Sequence, residues 1–94
     1  MGGLYTKNLV LLQIKGRIES YVGREKEPLS KLTKYIKTMC IKYQITDQEL
    51  KQILKEVESE IVKPFLKYSG GLLYQPERLD RFKKLCQELE IVID

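Results

Sequence analysis

Apolar residues recur along this 94-residue chain at steps of three and four, in four separate runs. That period gathers side chains on one face of an α-helix. The first run extends from about Leu4 to Val22 and carries Val10, Leu11, Ile14, Ile18, Tyr21 and Val22 on its stripe. Gly16 weakens it by roughly 1 kcal/mol relative to alanine. Gly23 offers a left-handed stop at its end. The second run starts near Pro28, whose missing N–H suits a first turn. Leu29, Leu32, Ile36, Met39, Cys40 and Tyr43 fill an arc of about 100°, with Lys31, Lys34, Lys37 and Lys42 on the other side.

The third run opens with Thr46-Asp47-Gln48-Glu49, the spacing of a reciprocal capping box. Leu50, Ile53, Leu54, Val57, Ile61 and Phe65 follow. Pro64 removes a backbone donor and crowds the preceding turn, so a kink or break is expected near Lys63. Helix is expected to resume over Pro64–Tyr68 and to end at the Ser-Gly-Gly of 69–71. The fourth run begins near Pro76 behind Gln75, a weak cap, and carries Leu79, Phe82, Leu85, Cys86 and Leu89. The closing Glu-Ile-Val-Ile-Asp is too short and too β-branched to prolong it. It is expected either to pack as an extended tail or to pair with another chain. Four amphipathic helices on short connections predict an all-α bundle in a single domain over 1–94, of four helices or of five where Pro64 divides the third.

Composition changes this picture little, and charge changes it more. Hydrophobic residues at 43% and charged residues at 32% suit a globular chain able to bury a core. The longest apolar run, Leu9–Leu12, is four residues, far short of the roughly 18 that a membrane span needs. No apolar segment follows a basic start as in a secretory leader. Residues 1–45 hold nine Lys/Arg against three Glu, a balance of +6, whereas residues 46–94 come to −2. A basic first half points to an anionic partner such as nucleic acid, an acidic protein surface or a lipid headgroup layer.

The chemistry of catalysis is absent from the pattern. There is no histidine, so the usual general base and commonest metal ligand are missing. Cys40 and Cys86 stand far apart, each on an apolar helical face, and read as buried thiols rather than half of a zinc site. A disulfide between them would need the helices to bring them together. No phosphate loop or nucleophile elbow occurs. Glu56 and Glu60 share a helix face, a pairing that reads as solvated surface. No enzyme, cofactor or metal is expected. Of the six tyrosines, Tyr21 and Tyr43 lie on core stripes. Tyr35, beside Lys31 and Lys34, is the candidate for stacking on a base.

The segment from Gln13 to Ile36 resembles the start of a PWI domain. Ile14, Arg17, Ile18, Tyr21-Val22, Gly23, Glu25 and Glu27 fall in the order of its first helix. Leu32, Ile36 and Met39 look like its second. The stretch Ile45–Val57 with the later Phe65 resembles its third. The tripeptide that names the family would fall at Leu12-Gln13-Ile14, where the isoleucine alone is kept. The resemblance covers about residues 13–66 and implies a small helical bundle serving as a non-enzymatic adaptor in nuclear RNA-processing assemblies. Family members bind nucleic acid best when a basic segment flanks the bundle. Residues 1–12 offer only Lys7, which favours a protein partner over RNA or DNA. The contacting residues expected are Arg17, Arg24, Lys26, Lys31, Lys34, Tyr35, Lys37 and Lys42, in an intracellular protein, nuclear rather than cytoplasmic.

A second reading starts from Met1-Gly2-Gly3-Leu4-Tyr5-Thr6, which fits a myristoylation signal at Gly2. A lipidated, basic helical domain of this size resembles retroviral matrix proteins in outline, and would bind anionic membrane through acyl chain and basic patch together.

Overall fold

The computed structural model describes residues 3–67 and 74–93. Four α-helices follow one another: α1 Gly3–Arg24, α2 Leu29–Lys42, α3 Asp47–Val57 and α4 Glu77–Leu89. No strand occurs among the described residues. The chain is an all-α bundle, as the periodicity predicts. The long α1 packs against α2, α3, α4 and the turn that follows α3, and α2 packs against α4. Ile14, Ile18 and Val22 of α1, Leu32 and Ile36 of α2, Leu54 and Val57 of α3 and Leu85 of α4 are all fully buried in one continuous core.

The helix ends depart from expectation in an instructive way. Gly23 is not the stop of α1. It lies within the helix, which runs on to Arg24, and the left-handed residue is Glu25 at φ 51°. Gln44 at φ 55° and Glu90 at φ 58° do the same after α2 and α4. Each end closes by backbone geometry. The Glu25 N–H donates to the Tyr21 carbonyl (2.7 Å), Ile45 N–H to Cys40 (2.9 Å) and Ile91 N–H to Cys86 (3.0 Å). The last two are the long-range bond of a Schellman cap, which also brings an apolar residue back over the final turn. That brings Ile45, which no stripe includes, into the core.

The start of α3 forms as predicted. Thr46 Oγ1 accepts from the Glu49 N–H at 3.1 Å, and Glu49 Oε1 accepts from the Thr46 N–H at 2.9 Å. Pro64 does break the segment, but the answer is a π turn over Glu58–Val62 and a single 3-10 turn over Lys63–Phe65. In an α-helix the proline ring would strike the Glu60 carbonyl and leave it without a donor. The wider turn instead sends the Lys63 N–H to the Glu58 carbonyl. One extra residue per turn shifts the buried register, so Val62 is fully buried while Ile61 is only partly so. The helix expected over Pro64–Tyr68 therefore does not form in its described part. Tyr68 and the Ser-Gly-Gly of 69–71 lie outside the described residues.

Pro76 precedes α4 without a side-chain cap. Gln75 does not cap the helix, and its side-chain carbonyl takes the Arg78 Nε–H instead at 2.9 Å. The C-terminal tail follows the first of its two expected courses. Residues 91–93 are non-helical, and Ile91 and Ile93 pack against the core while Val92 is exposed.

Gly16 is exposed in mid-α1, and a Cβ there would meet no atom within 4 Å. Gly16→Ala is expected to raise stability by about 1 kcal/mol. In thermal unfolding that is an increase of about 4–8 °C in Tm for a domain of this size.

Candidate interaction surface

The outer face of α2 presents cations without acids. The helix contains no acidic residue. Burying Leu32, Thr33 and Ile36 turns Lys31, Lys34, Lys37 and Lys42 into solvent, and all four are exposed. Thr33 is the unexpected member of the buried set, with its hydroxyl donating to the Ser30 carbonyl at 3.1 Å. Among the described residues the ion pairs go to Lys7, Lys15, Arg17, Lys63 and Arg81, and none goes to an α2 lysine. Lys42 has a distant approach to the Tyr43 ring, 5.5 Å from its centroid. Between Lys34 and Lys37 on the helical projection stands Ile41, 81% exposed.

The first turn of α2 sharpens the feature. A helix N-terminus carries the positive end of the backbone dipole, where acids stabilise and cations cost about 0.3–1 kcal/mol. Here the first turn holds Lys31 and no acid, and Pro28 supplies no side-chain cap. The local field is therefore more positive than four lysines alone would make it.

The other expected contact residues divide between two places. Arg17 forms a two-pronged pair with Glu27, through Nε at 3.0 Å and through Nη2. Its guanidinium also lies over the Tyr35 ring, 3.8 Å from the centroid. Arg17 is thus neutralised inside the fold, and one face of Tyr35 is already covered by it. Arg24 and Lys26 are exposed at the end of α1 and in the turn after it, on the rim of a cleft described below. Gly2 lies outside the described residues. No helix of the described residues is long and apolar enough to cross a membrane.

Carboxylates elsewhere neutralise other cations of the first half. Glu56 and Glu60 both grip Lys15, at 3.0 and 3.3 Å. Glu49 serves the capping box and Lys7 at 2.9 Å. The hydrogen bond from Arg17 holds the Glu27 carboxyl below the usual carboxylate range, with smaller help from the Arg17 and Lys31 charges. A depressed carboxylate contributes stability that is present above its unfolded value and lost as pH falls through the folded one. Glu27→Gln is therefore expected to lower stability near neutrality and to flatten its decline below about pH 4. Denaturation followed across acid pH reads both effects.

Both cysteines are free thiols, Cys40 half-buried and Cys86 buried. Burial first, then the Glu58 charge, pushes the Cys86 thiol up to about 11, and burial raises Cys40 as well. Because the thiolate is the nucleophile, Cys86 is expected to resist iodoacetamide at mildly alkaline pH until the chain unfolds. Cys40 should react first, and peptide mass mapping reads the order. Among the described residues no group of three or more potential metal ligands comes together.

Compared with known proteins, the chain matches no family model, no curated protein and no solved structure.

Proposed function

We propose that this bundle is a non-enzymatic interaction module that docks an acidic segment of a partner protein on the outer face of α2. The observation that carries the reading is the ladder of Lys31, Lys34, Lys37 and Lys42, none in an ion pair among the described residues, around an exposed isoleucine. Exposed lysines left without carboxylates raise the local potential and steer an anionic partner. Ile41 adds an apolar contact that a phosphodiester backbone does not use and an acidic peptide with an apolar side chain does. The resemblance to PWI domains supports an adaptor role in a nuclear RNA-processing assembly, where such contacts join protein components. The withdrawal of Arg17 and of one Tyr35 face into the fold also favours protein over single-stranded nucleic acid, whose bases need free aromatic faces.

The test compares two probes at low salt on the 94-residue chain, a glutamate-rich peptide with one central leucine and an oligouridylate of matched charge. Tighter binding of the peptide, weakened by Ile41→Ser, supports the reading. Tighter binding of the oligouridylate, indifferent to Ile41, moves the function to nucleic acid. Binding of neither, with liposome flotation of the N-myristoylated chain, moves it to the membrane.

A further inference from the structure

On the side of α1 that meets the π turn and α4, a cleft of about 260 Å³ opens over Gly16, Ser20 and Gly23. These three leave the α1 wall nearly bare. A Cβ on Gly16 would meet nothing within 4 Å, and one on Gly23 would come within 3.7 Å of Arg78 Nη2. Arg78 is held on the opposite wall with little freedom. Its Nε–H donates to Gln75 Oε1 (2.9 Å), its Nη1–H to the Ile61 carbonyl (3.0 Å), and its plane lies 3.7 Å from the Phe65 ring centroid. The Nη2 edge is left towards the cleft, and among the described residues no carboxylate pairs with this guanidinium. Burial lowers the Arg78 pKa, and the charges of Arg81 and Arg24 lower it further, against a partial offset from Glu77 beside it on α4.

Arg81, one turn along α4, shows what a purely structural arginine does in this neighbourhood. It donates to the Val22 carbonyl at 2.9 Å and lies 3.6 Å from Glu25, so both its hydrogen bonding and its charge are answered. Arg78 has Nε and Nη1 occupied, while its Nη2 edge has no partner and no carboxylate forms an ion pair with it among the described residues. Arg24 and Lys26 line the same cleft, neither in an ion pair among the described residues, and Glu19 is the single carboxylate that lines it. Three cations against one anion leave a formal surplus of two positive charges.

We propose that this cleft binds a phosphomonoester dianion, with Arg78 as the fixed donor at its wall and Arg24 and Lys26 closing over it from the rim. A phosphomonoester carries about −1.5 to −2 charges at neutral pH, which matches the surplus, whereas a carboxylate would leave half of it unanswered. Guanidinium and ammonium donors give short, charge-assisted bonds to phosphate oxygens. The volume is many times what one water requires. The bare glycine wall lets the anion approach the helix closely. The site is separate from the α2 face and stands whether or not that face binds a protein. The source of the phosphate is either a free phosphate compound or a phosphorylated side chain of a partner.

The test is titration of the ¹⁵N-labelled chain with inorganic phosphate at constant ionic strength set by chloride. Saturable shifts are expected at the amides of Gly16, Ser20 and Gly23 and at Arg78 Nε. Gly16→Leu fills the cleft without touching a cation and suits a helix, so it should abolish the saturable shifts while the fold persists. Arg24→Gln with Lys26→Gln should weaken binding by about tenfold or more. A short phosphoserine peptide, run beside its unphosphorylated form, distinguishes the sources. Tighter binding than inorganic phosphate identifies a phosphorylated side chain, and equal or weaker binding identifies a free phosphate. Shifts that never saturate, or that survive Gly16→Leu unchanged, overturn the proposal.

Discussion

Reversing Lys31, Lys34, Lys37 and Lys42 to glutamate is expected to abolish binding of an acidic peptide while leaving the bundle folded. An exposed ion pair contributes about 0.2–1 kcal/mol, so loss of four amounts to about 4- to 1,000-fold in affinity, before the new repulsion is added. The net charge moves from +4 to −4, which also slows encounter. The fold should tolerate the change because none of the four lysines holds an ion pair among the described residues, and all are exposed. Surface substitutions of this kind usually move stability within about 0.5 kcal/mol each. At Lys31→Glu the gain of an acid in a first turn that has none is offset by losing the Lys31 attraction for Glu27, so little net change is expected. Affinity measured by fluorescence anisotropy and folding measured by circular dichroism separate the two effects. A variant that keeps its full affinity would show that the peptide binds elsewhere.

The largest expected loss of stability comes from the centre of α1. Ile18→Ala is expected to cost about 2–5 kcal/mol, the range for deleting a buried aliphatic side chain with partial collapse of the cavity. Ile18 is fully buried in the one helix that packs against α2, α3, α4 and the π turn. A cavity there removes support from the element that every other one uses. Domains of this size have about 5–14 kcal/mol in total, so Tm should fall by at least about 8 °C. Leu12→Ala, on the same helix and 66% exposed, should change stability by no more than about 0.5 kcal/mol. Equal losses from the two substitutions in chemical denaturation would contradict the assignment of the core face.

The helices were legible because their signals are local and repeated. Ile14, Ile18 and Val22 recur at helical steps, and so do Leu50, Leu54 and Val57. Each set ends up buried. The Thr46–Glu49 box lies within a single turn and reads directly from the spacing. What was not legible depends on competition between backbone options. Gly23 looked like a stop, but Glu25, Gln44 and Glu90 take the left-handed positions, because a good set of capping bonds outweighs the modest cost of a Cβ there. Pro64 announced a break, yet the pattern could not say that a π turn would put Val62 in the place of Ile61. The surface followed the same division. The α2 lysines were visible because they sit opposite a strong apolar stripe. The fate of Arg17 was not, because Glu27 reaches it across a turn of unknown shape. Arg78 was missed altogether. It belongs to the half of the chain with negative balance, and its neighbours Ile61, Phe65 and Gly23 meet it only in three dimensions.

The most direct test of an α2 docking surface is a chemical-shift map of the ¹⁵N-labelled chain titrated at low salt with the glutamate-rich, leucine-centred peptide. Perturbations should concentrate at Ser30, Lys31, Lys34, Lys37, Ile41 and Lys42, shrink as salt is added, and disappear in the charge-reversed variant. Perturbations centred on α4 or on the exposed Leu9 and Leu12 of α1, or none anywhere on the bundle, would contradict it.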